Sequence, residues 1–278
     1  MFFSGIADEA GDDIETQIKA HRQLGWKHVE LRNVSGVSLC DLCDRTFDEV
    51  MEKVTDAGLA VSCFASQLCN WARPVTKHPD IDRQELARAI PRMQRVGCKF
   101  IRTMSYPNAG WPQDEWKKEV IARLKTLARM AEDGGVTLVH ENCDGWGGLG
   151  PDETLELLEK VASRSLKLVW DTGNPISHKH QDPWEYYDAV KEHVVYVHVK
   201  DAVRRNGAII YTYPGEGDGR VKDVIRDLMS RGYQGGFSIE PHLAAIVHEG
   251  KPASKGESAY ERYVEYGRRL KAIFDGLG

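Results

Sequence analysis

No stretch of this 278-residue chain approaches the roughly 20 consecutive apolar residues that a membrane-spanning helix requires, so a membrane protein is not expected. The opening Met1-Phe-Phe-Ser-Gly-Ile-Ala-Asp-Glu9 lacks the basic segment and long apolar core of a secretory signal, and a cytoplasmic location follows by default. Cysteine is sparse. Cys40, Cys43, Cys63, Cys69, Cys98 and Cys143 are scattered through a long chain, as suits free thiols in a reducing compartment. Cys40 and Cys43 form a lone Cys-x-x-Cys, which without a second pair or matched histidines does not make a zinc knuckle. An excess of positive charge is also missing. Lys and Arg total 37 against 42 Asp and Glu, a net charge of -5, and no basic stripe exists to grip a phosphate backbone. Nucleic acid is therefore not expected as a partner. The segment after the first apolar run, Ala7-Asp-Glu-Ala-Gly-Asp12, is not the G-x-G-x-x-G of a doubly wound dinucleotide-binding fold. No Pro/Ser-rich linker or low-complexity stretch marks a boundary, which makes residues 1–278 a single domain in this reading.

What the chain does have is alternation. Short runs rich in Val, Ile, Phe and Leu predict strands at Phe2–Ile6, His28–Leu31, Ala60–Ala65, Phe100–Met104, Thr137–His140, Leu166–Trp170, Val194–Val199 and Phe237–Ile239. Amphipathic helical patterns follow each at Asp13–Leu24, Phe47–Asp56, Arg83–Val96, Gln113–Glu132, Pro151–Ala162, Pro183–Glu192, Val221–Ser230 and Ala259–Phe274. Gly25, Gly58, Gly97, Gly134, Gly135 and Gly232 close helices just before the next strand, as left-handed caps do. Eight strand-helix units predict an α/β fold, the (β/α)8 TIM barrel. The longer connections follow the strands: 66–82, 105–112, 142–150, 172–182, 201–220 and 241–258. Unequal loops belong at the face that carries chemistry. Trp71, Trp111 and Trp146 in these loops are candidates to wall a sugar pocket, with loop packing as the alternative.

Four apolar runs in the second half end in a possible metal ligand: Glu141, Asp171, His198 and Glu240. In a closed barrel all four converge at one mouth. Any one alone reads as a cap or half of a salt bridge; four in successive strands read as a site. Three carboxylates and one imidazole suit Mn²⁺, Mg²⁺ or Co²⁺, with Zn²⁺ as a further candidate. Two open positions on such an ion would chelate the carbonyl and hydroxyl oxygens of a ketose and stabilise an enediolate, while a ligand carboxylate accepts the proton.

With that order of ligands, Glu, Asp, His, Glu, the whole chain resembles the xylose-isomerase-like TIM barrels, and among them the tagatose-type 3-epimerases. The resemblance implies that Glu141 and Glu240 are catalytic as well as metal-binding, moving the proton on opposite faces of the substrate carbon. It also implies that Arg204 binds substrate, and His198-Val-Lys-Asp201 is similar to the His-x-Lys-Asp segment of inosose dehydratases. Those epimerases carry His three residues after the Asp ligand and Glu six after the first Glu, where this chain has Asn174 and Gly147, so the substrate contacts differ. Asn142, Asp144, Trp146 and Asn174 are candidate substrate contacts. Lys200 binds a substrate oxygen or protonates a leaving group, or else pairs with Asp201 or a barrel carboxylate. Glu30, His178, His180 and His242 near the mouth read as solvated or structural. Pro214-Gly-Glu-Gly-Asp-Gly-Arg220 reads as a Gly-rich turn, with a phosphate cradle as the alternative.

The first expectation is a metal-dependent isomerase or epimerase of a sugar or keto-sugar. The second is a lyase or dehydratase of the same fold acting on a keto-sugar, inosose or 3-keto-glycoside. The multi-zinc abasic-site endonucleases of this superfamily are disfavoured by the acidic charge, and a sugar-binding barrel is the non-enzyme alternative. The expected partner is a small carbohydrate, and a homo-oligomer is left open.

Overall fold

The apolar runs form one parallel sheet that curls into a barrel in the computed structural model, which describes residues 1–179, 182–243 and 258–277, with the side chains of residues 178 and 179 outside that description. Its strands are β1 (Phe2–Gly5), β2 (His28–Leu31), β3 (Ala60–Phe64), β4 (Phe100–Ser105), β5 (Thr137–Gly145), β6 (Leu166–Asp171), β7 (Val194–Val199) and β8 (Gly236–Ile239). Pairing runs β1-β8-β7-β6-β5-β4-β3-β2, and a lone parallel bridge from Ile6 to Glu30 joins the two ends. Ser4 of β1, Ser62 of β3 and Tyr196 of β7 hydrogen-bond in series at 2.8 Å each. These strands are not all neighbours, so their side chains meet through the interior, which is packed rather than hollow.

Outside lie α1 (Ile14–Gln23), α2 (Asp44–Asp56), α3 (Asp80–Val96), α4 (Gln113–Asp133), α5 (Pro151–Val161), α6 (Pro183–Val190), α7 (Val221–Ser230) and α8 (Ala259–Asp275). One apolar cluster packs α2 to α5 on β2 to β5, and another packs α6 to α8 on β6 to β8. Asp13 caps α1 by accepting from Thr16 N at 2.8 Å, and Ser258 with Glu261 forms a capping box on α8. Gly25, Gly58, Gly97, Gly135 and Gly232 turn out of their helices at φ between 68° and 71°, which costs a side-chain-bearing residue more than glycine. Gly134 stays right-handed at φ -82° and leaves that role to Gly135.

The departures from sequence expectation are local. Helices α2 and α3 begin at Asp44 and Asp80, not Phe47 and Arg83, because their first turns are largely polar and carry little apolar period. Within 201–220 the chain makes an antiparallel hairpin, Asp201–Arg205 with Ala208–Thr212, turning at Asn206-Gly207 with φ 49° and 80°. Asn-Gly is the sequence signal for that tight turn. Residues 244–257 of the loop expected at 241–258, and His180, lie outside the described residues. No helix among the described residues is long and apolar enough to cross a membrane.

Candidate active site

Glu141 on β5, Asp171 at the end of β6, His198 on β7 and Glu240 just past β8 are all buried, and their ligand atoms lie within 4.8 Å of one another. Parallel pairing sets this up: Asp171 is level with His198, and Glu141 with Val169 two residues before Asp171. His198 Nδ1 is 3.2 Å from Glu141 Oε1 and 3.8 Å from Glu240 Oε2. Lys200 Nζ lies 2.8 Å from both Asp171 Oδ2 and Glu240 Oε2. Among the described residues, Glu141 Oε2 and Asp171 Oδ2 are buried without a hydrogen bond, although Lys200 stands beside the latter. Hard oxygens left under-satisfied around one imidazole fit a divalent cation.

Arg32, at the end of β2, backs this cluster. Its Nε donates to Asp8 at 3.1 and 3.0 Å, Nη1 lies 3.2 Å from Glu240 Oε1, and Nη2 lies 3.4 Å from Glu9 Oε1. His242 hydrogen-bonds Glu9 through Nδ1 and through its backbone N–H, both at 2.8 Å. Glu9, Glu240 and His242 also bring ligand atoms within 4.8 Å, but the Arg32 guanidinium already supplies positive charge to two of those carboxylates. Arg102 on β4 places Nη1 3.6 Å from Glu141 Oε2.

Burial penalises every charge here, and the partners decide which survive. Burial pushes the Glu141 carboxyl up, yet Arg102 and His198 together hold it down to about 2. Glu240 is likewise driven well below the usual carboxylate range, because Lys200, His242, His198 and Arg32 outweigh burial. Asp171 goes the other way, to about 6, since burial and the neighbouring Glu240 and Glu141 exceed the pull of Lys200. Burial lowers the Lys200 ammonium, but Asp171 and Glu240 raise it well above its ordinary value.

A cavity of about 440 Å³ opens onto the cluster, lined among others by Trp71, Arg102, Glu141, Asn174, Lys200, Tyr211 and Glu240. Asn174 donates to Glu141 Oε1 at 3.3 Å. Three residues expected at the substrate sit behind this wall. Asn142 is turned to the backbone of Asp171, donating to its carbonyl at 2.9 Å and accepting its N–H at 2.7 Å. Trp146 is buried in the helix-facing apolar cluster under Lys117, because the chain turns outward at Gly145. Arg204 points to the turn 175–179 and donates to the carbonyls of Ile176 and Ser177 at 3.0 and 3.3 Å. Of the three loop tryptophans, Trp71 alone lines the cavity, while Trp111 packs on the apolar cluster. Lys200 pairs with the barrel carboxylates and not with Asp201. Asp201 instead accepts from the backbone N–H groups of Gly215, Gly217 and Gly219 at 2.8, 3.0 and 2.9 Å, so the Gly-rich segment holds the chain's own carboxylate where a phosphate was the alternative. Glu9, Glu30, Arg32, Arg102 and His242 were missed as site residues. Glu30, Arg32 and His242 stand within three residues of a strand end, near where the other four were found, whereas Arg102 lies inside β4 and Glu9 in the short turn Ala7–Glu9 that follows β1.

A family model for the xylose isomerase-like TIM barrel matches residues 18–268. The chain belongs to this family. Among xylose isomerase-like structures, one from Mycobacterium smegmatis in complex with magnesium superposes with a TM-score of 0.70 at 19% identity, covering 100% of this chain and 97% of that one. A structure of L-ribulose 3-epimerase gives a TM-score of 0.78 at 15% identity over 99% and 95% of the two chains. By sequence, the chain is 26% identical to an inosose dehydratase of Geobacillus thermodenitrificans over 143 residues, 46% of this chain and 47% of that protein. It is 24% identical to fructoselysine 3-epimerase of Escherichia coli O157:H7 over 194 residues, 67% and 66% of the two. The match thus spans about half the length of the inosose dehydratase. The relatives matched by sequence include an inosose dehydratase and a fructoselysine epimerase.

Proposed function

We propose that this chain is a divalent-metal-dependent isomerase or epimerase of a sugar or keto-sugar, working as one barrel domain by proton transfer next to a carbonyl. The observation that carries the reading is that two buried carboxylates, Glu141 and Glu240, line the same cavity of about 440 Å³, a size suited to a small molecule. Glu141, Asp171, His198 and Glu240 would hold Mn²⁺, Mg²⁺ or Co²⁺. A bound ion supplies Lewis-acid stabilisation of the negative charge that develops on substrate oxygen. The chain's own groups do the rest. Glu141 and Glu240 are both held ionised, so either is ready to take a proton from carbon. The carboxyl that has taken it can return it to the neighbouring carbon, and return on the opposite face needs the other carboxylate to be protonated first, for which the Lys200 ammonium 2.8 Å from Glu240 Oε2 is the donor at hand. Asn174 and Lys200 on the cavity wall contact substrate oxygens, Trp71 offers an aromatic face to a sugar, and Arg204, Asn142 and Trp146 act from behind the wall.

A lyase or dehydratase on a keto-sugar, inosose or 3-keto-glycoside is the second reading, favoured by Lys200. Its ammonium is 2.8 Å from Glu240 Oε2 and faces the cavity, where it can protonate a leaving oxygen. A cytoplasmic location accords with six free cysteines, five of them buried.

The test is NMR in deuterated water with Mn²⁺- or Co²⁺-loaded protein for screening, then Mg²⁺, against ketoses, keto-glycosides and inososes. Deuterium entering next to the carbonyl with every oxygen retained is the expected result. Loss of water or an aglycone moves the assignment to the lyase. Absence of metal-dependent exchange, with ligand affinity intact in Glu240→Gln, leaves a sugar-binding barrel.

A further inference from the structure

Glu30 was read from sequence as a bland mouth residue, yet it is the least expected charge in the barrel. It is the penultimate residue of β2, is fully buried, and reaches across the interior to β7, where its Oε1 lies 3.1 Å from His198 Nε2. Its other oxygen accepts from Ser238 Oγ on β8 at 2.6 Å. The pairing of β2 with β3 slips in register between Val29 and Glu30, and the single bridge that closes the barrel falls on Glu30 itself. Such irregularities re-aim side chains beside active sites. A buried carboxylate costs free energy unless its partners repay it, and here the partners include one hydroxyl, one imidazole nitrogen and the weakly donating Cys63 thiol.

Chemistry gives that arrangement a purpose. An imidazole that donates its Nε2–H must present a lone pair at Nδ1 when neutral. Nδ1 is the nitrogen facing Glu141 at 3.2 Å and Glu240 at 3.8 Å. We propose that Glu30 is the positioning residue for His198: by accepting from Nε2–H, with Ser238 holding its second oxygen, it fixes the ring orientation and tautomer that turn the Nδ1 lone pair to the metal position. The inference rests on the metal-dependent reading above and adds Glu30 and Ser238 to the residues that serve it. Glu30 is neither one of the four candidate ligands nor on the cavity wall, so its effect passes through His198. Second partners of metal-bound histidines are typically worth about 10- to 100-fold in metal affinity.

The experiment uses the full chain as wild type and as Glu30→Ala, Glu30→Gln, Ser238→Ala and His198→Ala. Co²⁺ and Mn²⁺ dissociation constants are measured by calorimetry, together with the visible absorption of the Co²⁺ form, which reports the ligand field. Glu30→Ala is expected to weaken binding about 10- to 100-fold and to change the Co²⁺ spectrum. Glu30→Gln, whose amide oxygen still accepts from Nε2–H, should recover much of the affinity, and Ser238→Ala should lose only a few-fold. Wild-type affinity and spectrum in a folded Glu30→Ala, with His198→Ala losing the ion, would overturn the proposal and leave the metal-dependent reading intact. Were Glu30→Ala not to fold, unchanged affinity and spectrum in both Glu30→Gln and Ser238→Ala would overturn it equally. Unchanged binding in His198→Ala would remove the metal site at these residues, and the proposal with it.

Discussion

The two halves of the barrel mouth carry similar side chains and treat them differently. On the side of β1 to β4, Arg32 answers Asp8, Glu9 and Glu240, Glu9 also takes two bonds from His242, and Glu30 has a partner for each oxygen. On the side of β5 to β8, among the described residues, Glu141 Oε2 is buried without a hydrogen bond, its nearest cation being Arg102 Nη1 at 3.6 Å, and Asp171 Oδ2 has only the Lys200 ammonium at 2.8 Å. One half is a framework of satisfied charge; the other keeps donor atoms in reserve. An active site needs both, because groups left unsatisfied stay in place only when their surroundings are over-determined.

The largest effects should come from the reserve side. Glu240→Gln, and separately Glu141→Gln, should cut turnover by about 10²- to 10⁴-fold, the usual worth of a general acid or base. Stopped-flow or NMR turnover on the substrate found above measures it; a loss under threefold in both would erase the distinction between the halves. Next comes the framework. Arg32→Met strands Asp8, Glu9 and Glu240 without their shared cation and should cost about 3–5 kcal/mol of stability, read from urea unfolding of the metal-free protein.

A smaller contrast sharpens the comparison outside the site. Burial pushes His21 and His140 down to about 4 from an ordinary 6.5. Both are neutral in the fold, so their contribution is fully present above about pH 6.5 and is lost as pH falls toward 4, about 3 kcal/mol each at the lower limit. Unfolding at pH 7 and at pH 4.5 should show it, with His140→Leu removing its share of the acid sensitivity. The two differ at pH 7. His21 bonds through both nitrogens, to Gln17 O at 2.9 Å and Tyr263 Oη at 3.2 Å, whereas neither nitrogen of His140 has a hydrogen-bond partner among the described residues. His21→Leu should therefore cost about 1–3 kcal/mol more than His140→Leu. The smallest effect belongs to Trp71, 42% exposed on the cavity rim. Trp71→Ala should leave stability within about 0.5 kcal/mol and raise KM a few-fold with kcat retained, by steady-state kinetics.

Strand positions and the second-half cluster were legible because each ligand candidate closes an apolar run, and a parallel barrel sends such run ends to one face. Glu30 and Arg32 stand at the end of β2, and Arg102 lies inside β4. Arg32 and Arg102 escaped notice because Arg is not a metal ligand, and Glu30, noted near the mouth, becomes meaningful only once β2 and β7 face each other across the interior. Asn142 and Trp146 follow Glu141 closely, but proximity in sequence says nothing about direction: Asn142 turns to the neighbouring strand's backbone, and the chain leaves the barrel by Trp146. Arg204 was displaced by a hairpin whose Asn206-Gly207 signal was present and unread. The Asp201 cradle was invisible because four of its bonds come from backbone N–H groups, three of them on a loop 14 to 18 residues on.

The seam of the barrel has a kinetic consequence. Arg32 and Glu240 are 208 residues apart, and Glu9 and His242 are 233 apart, yet each pair spans the junction where β1 meets β8. Loop-closure entropy must be met before such distant contacts form, so closure belongs late in folding and makes it slow. A nascent chain that has emerged as far as β7 already holds Glu141, Asp171 and His198 but lacks Glu240 and the strand that supports β1. The four-residue cluster is therefore complete only once the last strand has docked.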